Sequence, residues 1–484
     1  MEVLGIVFAS LPYAAVLLFS ALFLIYMGIT LSKQRFVIYP YLILLLTISG
    51  TTFGLKEAVA PSVYGRGSGV LYAPLLMWLL LAAFLWTRFT LMFARDRIAA
   101  CNLHPWFAGW LVLFAAHVGA GLALGQPLKE IVGGMGFSNV IWMWVFILAL
   151  LTAFRTPEAV EELTRFLIVY GFGRAVFGLV RWAALGGDPA NAYANRQGLD
   201  LKLTFFDIND NLICFIAFAL SAVRLLHPDK VVVSKWWRAF LWVVLATTAL
   251  CILLSFRRTA WVGLALGGLF VLAQLPKQVR WKTALFAVPM GLVGIIYVAK
   301  KRLGQVSGAG SGIESFFYDL ISNRYGAEGD RVMELKLAIA DFIDHPIVGI
   351  GAWGRYSGYQ RIDWQIGPDA GAFLHSGLLH LALKTGFVGL ILLVGVVSAF
   401  VIFWQRTREQ LAPGPRALAV AGVAGTLFML SDFLIGTPVP QVRTMQMIAL
   451  CMALPYLAAA ASSISAVTAV QPRRDGVGFR VASA

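Results

Sequence analysis

The segment Phe373–Leu390 reads FLHSGLLHLALKTGFVGL and joins a polar stretch of the chain to a hydrophobic one. From Gly386 the apolar residues continue to position 404, close to the roughly 20 residues that a helix needs to cross a bilayer core of about 30 Å. His375 and Ser376 stand just before this run. The segment therefore predicts a membrane-spanning helix with a titratable ring and a hydroxyl at its entrance.

The composition of the whole chain is that of a polytopic membrane protein. Hydrophobic residues make up 59% of the 484 residues and charged residues only 13%, whereas soluble domains contain about 25% charged residues. We predict an all-α fold with about 12 transmembrane helices, and counts of twelve and thirteen both remain open. The predicted spans lie near residues 5–31, 36–54, 69–94, 105–124, 137–154, 166–185, 207–225, 239–256, 259–275, 283–299, 386–404, 417–435 and 443–461.

The net charge of +15 follows the predicted topology. Lys and Arg cluster in short connections between the hydrophobic runs, and such connections stay on the cytoplasmic side. No nucleic-acid motif accompanies them, so no nucleic acid is expected as a partner. We predict a multi-pass protein of the bacterial inner membrane whose outer side faces the periplasm. Its predicted parts are an N-terminal transmembrane bundle (1–299), a large periplasmic loop (300–374), C-terminal transmembrane helices (375–465) and a cytoplasmic tail (466–484).

The predicted periplasmic loop contains one strong helical pattern. Asp330–Ile343 reads DRVMELKLAIADFI and predicts an amphipathic helix that lies along the membrane surface or caps the bundle. The following His345-Pro346 ends this helix, because proline disfavours helix at the residue before it. The apolar residues at helical spacing are Val332, Leu335, Ile339 and Phe342.

Arginines gather at the predicted outer ends of the spans. Arg257 and Arg258 separate two spans, and Arg331 opens the loop helix. Arg174 and Arg181 are seven residues apart and share nearly one face of a helix. Converging guanidinium groups suit a pyrophosphate, because they form charge-assisted bidentate hydrogen bonds at any physiological pH. The alternative is that these arginines extend to lipid headgroups or pair with acids.

His375 is the candidate general base. A neutral imidazole can accept a proton from a hydroxyl, and such a base contributes about 10²–10⁴-fold to a rate. The alternative is a helix-entry histidine bonded to the backbone. Neither a metal nor another cofactor is expected, because His375 and His380 fall on different helix faces and no H-E-x-x-H pattern or phosphate-binding glycine loop is present.

The segment that begins at His375 resembles the O-antigen ligase family. His375-Ser376, nine further residues and then GFVG from Gly386 fit the pattern H-[NSQ]-x₉-G-x-x-[GTY] that is characteristic of this family. In order and spacing the similarity covers about residues 206–404, although many relatives carry an acid where Lys384 stands. Three more segments are similar to the wider group of lipid-linked glycan ligases and polymerases, namely FDINDNLICF (206–215), SFRRTAWVGLALGG (255–268) and DRVMELKLAIADFIDHPIVGIGAWG (330–354).

The resemblance implies a metal-independent, inverting glycosyltransferase. Its donor would be a glycan on undecaprenyl pyrophosphate and its acceptor a sugar hydroxyl of the lipid A core, with membrane lipids around a monomer or weak oligomer. His375 matches the family's essential histidine, with Ser376 beside it. Arg258 or its neighbour Arg257 matches the arginine at the span junction, Arg331 matches the arginine that opens the loop helix, and Asp432 loosely matches an acid in the span after the motif.

Three other functions stay open from the sequence. A polymerase of O-antigen or exopolysaccharide would use the same donor with a different acceptor. A protein O-oligosaccharyltransferase usually continues further after the histidine motif. A transporter of lipid-linked sugars would also have about a dozen helices, but the twofold repeat of many transporters is not visible in the chain.

Overall fold

The computed structural model describes residues 37–48, 74–92, 100–191, 201–227, 234–303, 329–362 and 365–470. Over these residues the chain is helical and contains no strand. The predicted span 5–31 and most of the predicted tail 466–484 lie outside the described residues. The prediction of an all-α polytopic membrane protein is confirmed over the described part.

The described residues form a succession of α-helices. Seven are long and apolar enough to cross a membrane, and four shorter apolar ones (α1, α2, α5 and α9) accompany them among the described residues. The helices are α1 (Ile38–Thr47), α2 (Leu75–Met92), α3 (His104–Ala123), α4 (Leu128–Val132), α5 (Ser138–Ala153), α6 (Pro157–Ala184), α7 (Ile208–Leu226), α8 (Lys235–Leu253), α9 (Arg258–Gln274), α10 (Lys277–Leu303), α11 (Gly329–Asp344), α12 (Gly377–Thr407), α13 (Pro413–Ile435) and α14 (Val442–Val470).

The centre of the bundle is built from α7, α13 and α14. The spanning parts of these helices are 83%, 67% and 89% buried, against 28% for α3 and for α8. Helix α7 packs against α6, α8 and α13, and α13 in turn packs against α9 and α14. The less buried helices present their apolar surface outward, as expected where lipid replaces protein as the neighbour.

Helix α12 is broken at Gly386, where the predicted span 386–404 begins. Gly386 has φ +63° and ψ −157°, a conformation that is essentially restricted to glycine. The turn after α11 satisfies backbone groups on both sides of the break. Phe387 N donates to Pro346 O at 2.7 Å, and Ile350 N donates to Leu383 O at 2.9 Å. The break therefore ties the outer loop to the helix that follows His375.

The loop helix α11 forms where the sequence predicts it and ends at Asp344, just before His345-Pro346. Its buried face carries Glu334, which is 0% exposed, whereas Ile339 is 46% exposed. The Phe342 ring packs 5.1 Å from the Phe387 ring of α12, so the apolar side of α11 continues the outward surface of that helix. The acid thus faces inward, whereas Ile339 lies on the more exposed side.

Replacement of Gly386 by alanine should lower stability. A Cβ at this position would lie 2.2 Å from Ile347 O, and the backbone conformation alone costs a residue other than glycine about 1–3 kcal/mol. We expect Gly386→Ala to lower the thermal midpoint in detergent by several degrees. Gly268→Ala is the matched control, because nothing lies within 4 Å of its added Cβ. Equal midpoints for the two variants would contradict the account of the break.

Candidate active site

His375 lies where the outer loop enters α12, and its side chain is 22% exposed. The next residue, Ser376, is the N-cap of α12, and its hydroxyl oxygen accepts a hydrogen bond from Leu379 N at 3.3 Å. A serine cap satisfies one of the N–H groups that a helix start leaves free. Ser376 therefore fixes the first residue of the helix and, with it, the position of His375.

A buried carboxylate holds the His375 ring. Glu334 Oε2 lies 3.0 Å from His375 Nδ1 and accepts the His375 backbone N–H at 3.1 Å. Gln365 Nε2 donates to the other oxygen, Oε1, at 3.2 Å. The Glu334 side chain has no exposed surface. Its charge is therefore balanced by hydrogen bonds from two separate parts of the loop, as a buried acid requires.

This contact decides which nitrogen of His375 can accept a proton. A carboxylate accepts hydrogen bonds, so the neutral ring carries its hydrogen on Nδ1 beside Glu334 and keeps a lone pair on Nε2. The same carboxylate stabilises the ring when Nε2 takes up a proton. The Phe373 ring packs edge-on at 5.9 Å from the His375 ring and limits its rotation. The arrangement therefore holds the imidazole in one orientation with Nε2 able to accept a proton.

Glu334 was missed by the sequence analysis. The apolar pattern of the loop helix directed attention to Val332, Leu335 and their companions, and Glu334 reads there as part of a solvated face. The available signal was its position three residues after Arg331, on the same side of the helix. Only the inward orientation of that side distinguishes it from an ordinary polar face.

Arg257 and Asp432 form an ion pair on the neighbouring part of the site. Arg257 donates to Asp432 Oδ1 at 2.9 Å and to Thr259 Oγ1 at 2.8 Å, and it also bonds to the carbonyl oxygen of Phe206. The Arg257 side chain is 21% exposed. Asp432 also interacts electrostatically with His375. The structure therefore brings three predicted site residues, His375, Arg257 and Asp432, into one cluster.

Arg258 and Arg331, the other two arginines that the family resemblance selects, lie at helix starts. Arg258 is the first residue of α9, directly after the N-cap Arg257. Arg331 lies in the first turn of α11, three residues before Glu334, which corresponds to a rise of about 4.5 Å along one helix face. Both side chains are partly exposed. Helix N-termini favour anions, so these positions suit a phosphate ligand.

Arg174 and Arg181 lie inside the bundle. Arg174 pairs with Asp210 at 3.0 Å and Arg181 pairs with Asp188 at 2.9 Å, and the arginine side chains are both 7% exposed. Both guanidinium groups also lie over the Phe205 ring. Burial raises the pKa of the Asp188 carboxyl, although Arg181 and two backbone N–H groups oppose this shift. Both arginines therefore have buried carboxylate partners within the protein. Their predicted role as phosphate ligands stays a prediction.

Arg443 extends this charge network and was not predicted. Its guanidinium donates to Asp207 at 2.6 Å and to Asp210 at 2.7 Å. It also donates to the carbonyl oxygens of Leu45 and Leu46 at the end of α1. One side chain from the start of α14 thereby joins α1 and α7. Such a network is costly to interrupt, because removal of one member leaves a charge buried without its partner.

The chemistry available at this site is acid–base and electrostatic. Among the described residues, no group of three or more His, Cys, Asp or Glu side chains is placed to hold a metal ion. The residues present offer an oriented imidazole, a carboxylate behind it and guanidinium groups beside it. Such a set suits the attack of a hydroxyl on a centre that bears a negatively charged leaving group.

Residues 243–394 match a family model described as O-antigen ligase. The matched part runs from α8 into α12 and contains Arg257, Arg258, Arg331, Glu334 and His375. No curated protein matches the chain. The family match therefore falls on the part of the chain that builds the cluster around His375.

The buried pairing of Arg181 can be tested by stability. Arg181→Gln should lower the free energy of unfolding by about 3–5 kcal/mol, because Asp188 is left buried without its partner. Because Arg181 opposes the rise in the pKa of Asp188, its removal raises that pKa further, the folded variant binds more protons than the folded wild type, and the loss should grow as the pH rises from 5 to 8. Thermal unfolding in detergent measures it. The double variant Arg181→Gln/Asp188→Asn should recover part of the loss. Unchanged stability with a raised KM for the donor would instead show a phosphate ligand.

Proposed function

We propose that this chain, a member of the O-antigen ligase family, transfers a glycan from undecaprenyl pyrophosphate to a sugar hydroxyl of the lipid A core. The reaction takes place at the periplasmic face of the bacterial inner membrane and uses no metal. The observation that carries the proposal is the contact between His375 Nδ1 and the buried Glu334 carboxylate. It supports an oriented base at the point where the outer loop meets a membrane-spanning helix.

The base step follows from that contact. His375 Nε2 accepts the proton of the acceptor hydroxyl while the hydroxyl oxygen attacks the anomeric carbon of the donor sugar. The bond between that carbon and the pyrophosphate oxygen breaks, and undecaprenyl pyrophosphate leaves with the electron pair. Because attack and departure occur on opposite sides of the carbon, the product has the inverted configuration. The Glu334 carboxylate stabilises the imidazolium that forms.

The leaving group is stabilised by fixed positive charge. Pyrophosphate needs no further activation, but charge grows on its bridging oxygen as the bond breaks. Arg258 and Arg331 at their helix starts, together with Arg257, supply guanidinium groups that are positioned before the reaction begins. The ion pair of Arg257 with Asp432 holds that side chain in place. The arginines thereby perform the task that a divalent cation performs in many transferases.

The lipid part of the donor requires an apolar path to the site. The outward side of α11 and of the turn after it exposes Ile343 (66%) and Ile347 (68%). The adjacent part of α12 exposes Phe387 (53%) and Ile391 (63%). These side chains form an apolar surface that runs from the end of α11 and the turn after it onto a spanning helix. It supports approach of the polyprenyl chain from within the membrane.

Removal of the base should abolish transfer. His375→Ala should lower the transfer rate by about 10²–10⁴-fold, the usual contribution of a general base. The assay uses purified protein in detergent with undecaprenyl-pyrophosphate glycan and core-bearing lipopolysaccharide, and the product is resolved on a gel. His345→Ala is the matched control, because that histidine is exposed at the end of α11 on the same side of the membrane. Full activity of His375→Ala would refute the base role.

Glu334 should act through His375. Glu334→Gln preserves the size of the side chain but removes its charge, so the imidazolium loses its stabilising partner. We expect kcat to fall by about 10²-fold or more with little change in either KM. A variant with unchanged kcat would show that Glu334 serves the fold alone.

A further inference from the structure

One residue other than glycine has a positive φ among the residues that the structure describes. It is Phe256, with φ +52°, in the turn between α8 and α9. Bulky side chains rarely adopt this left-handed conformation, because their Cβ crowds the following carbonyl oxygen. We propose that Phe256 is a positioning residue whose conformation directs Arg257 and Arg258 toward the pyrophosphate. The proposal rests on the proposed function, because these arginines are assigned there to the leaving group.

Packing of the Phe256 ring holds this conformation in place. The side chain is 1% exposed, and its ring centroid lies 6.5 Å from that of Trp261 in α9. Burial of a phenylalanine side chain stabilises a fold by an amount of the same order as the cost of a left-handed conformation. The packing therefore offsets the strain. The buried cluster around the ring consists of Leu201, Leu203, Leu254, Phe256 and Trp261.

The segment 201–206, which precedes α7, fixes the end of α8. Thr204 N donates to Leu254 O at 3.1 Å, and the Thr204 hydroxyl donates to Cys251 O at 2.7 Å. The segment is itself attached to the end of α6, because Phe206 N donates to the Asp188 carboxylate at 2.8 Å. The chain is therefore held in place up to Leu254, two residues before Phe256.

The φ of Phe256 then decides where the Arg257 side chain lies. A right-handed φ of about −60° in place of +52° would rotate the following chain by roughly 110° about the N–Cα bond. Arg257 donates to Asp432 Oδ1 at 2.9 Å and to the carbonyl oxygen of Phe206. Asp432 lies on α13 and Phe206 in the segment 201–206, so such a rotation would remove Arg257 from both partners.

A buried phenylalanine constrains this turn more than glycine would. Glycine adopts a positive φ more readily, but it also adopts many other conformations. The packed Phe256 ring restricts the turn to one conformation before a substrate binds. A guanidinium that is already in place stabilises a developing charge better than one that must reorient. A strained but fixed turn therefore favours catalysis, whereas an unstrained glycine turn would leave Arg257 less constrained.

Glycine and valine at position 256 separate this role from simple packing. Glycine adopts a positive φ without strain, whereas the branched Cβ of valine makes that conformation highly unfavourable. Valine fills more of the space of the ring, so packing alone would favour valine over glycine. The two explanations therefore predict opposite orders of activity for Phe256→Gly and Phe256→Val.

Phe154 provides the matched control. Like Phe256 it is 1% exposed and lies at the end of a helix, α5, but its φ is −109°. It precedes α6, whose 28 residues span roughly 40 Å and end near Asp188. Phe154 is therefore far from the candidate site. With an ordinary φ, this position should tolerate valine better than glycine.

The first experiment measures steady-state transfer to core-bearing lipopolysaccharide at a temperature below the thermal midpoints of all variants. We expect Phe256→Val to lower kcat about 10²-fold without changing the acceptor KM, because the leaving group loses a preorganised donor. Phe256→Gly should stay within about tenfold of wild type. Phe256→Ala replaces Phe256→Val if the latter does not fold, since alanine also disfavours a positive φ. Phe154→Val and Phe154→Gly should keep the wild-type kcat.

Two kinetic results would overturn the proposal. One is a kcat of Phe256→Val, or of its substitute Phe256→Ala, that equals or exceeds that of Phe256→Gly. The other is a loss of kcat in Phe154→Val as large as that in Phe256→Val, because it would show that any buried phenylalanine has this effect.

A second experiment separates this proposal from the proposed function. Farnesyl pyrophosphate, a short lipid pyrophosphate, is titrated into the detergent-solubilised proteins in a calorimeter. Binding that is about tenfold weaker for Phe256→Val than for Phe256→Gly, Phe154→Val and wild type supports the proposal, even if wild type transfers no glycan to lipopolysaccharide. Equal affinities for the four proteins, or no binding by any of them, overturn the proposal even if transfer is demonstrated.

Discussion

The buried Glu334 carboxylate is the interaction on which the geometry of the outer loop depends. A carboxylate without exposed surface is stable only when hydrogen bonds replace its lost water. Here the donors come from the start of α12 through His375 and from the middle of the loop through Gln365. Helix α11, the loop and α12 therefore cannot move independently without exposing the carboxylate or leaving it buried without hydrogen bonds. The same requirement that stabilises the loop orients the His375 ring, which we propose as the base.

The break at Gly386 complements this constraint from the membrane side. The turn after α11 donates one backbone hydrogen bond to the first half of α12 and accepts another from the second half. Lys384 also donates hydrogen bonds to carbonyl oxygens of the segment that follows this turn. Lys384 thus has a local structural task in this chain. Two separate sets of contacts, one at Glu334 and one at Gly386, hold the loop on the helix that carries His375.

The apolar framework was predictable because membrane spans depend on local hydropathy. The predicted span 137–154 is the helix α5 (Ser138–Ala153) in the structure, and the loop helix ends at Asp344 as the following His345-Pro346 indicated. The motif selected His375 as the candidate base, and that role stays a prediction. The function of each charged residue was harder to predict, because it depends on partners far away in sequence. Arg174 pairs with Asp210 across the interface between α6 and α7, and the sequence around Arg174 does not indicate that acid.

Glu334 illustrates the same limit. On a helical projection it is one charged residue among several, and only the orientation of α11 against the bundle shows that its side is the buried one. Ile339 and Ile343 of α11 are exposed, whereas Ala338 and Glu334 are buried. The apolar residues that the helical pattern selects therefore do not mark the side of α11 that packs on the bundle.

The most direct test of the central claim is a reconstitution of the wild-type protein in EDTA. Purified protein is supplied with undecaprenyl-pyrophosphate glycan of known anomeric configuration and with core-bearing lipopolysaccharide, and the product linkage is determined by NMR. The account predicts glycan attached to the lipid A core with inverted configuration and no requirement for a divalent ion. A ladder of glycan growing on the lipid carrier would show a polymerase. Activity that returns only with a divalent ion would contradict the assignment of the leaving group to arginines.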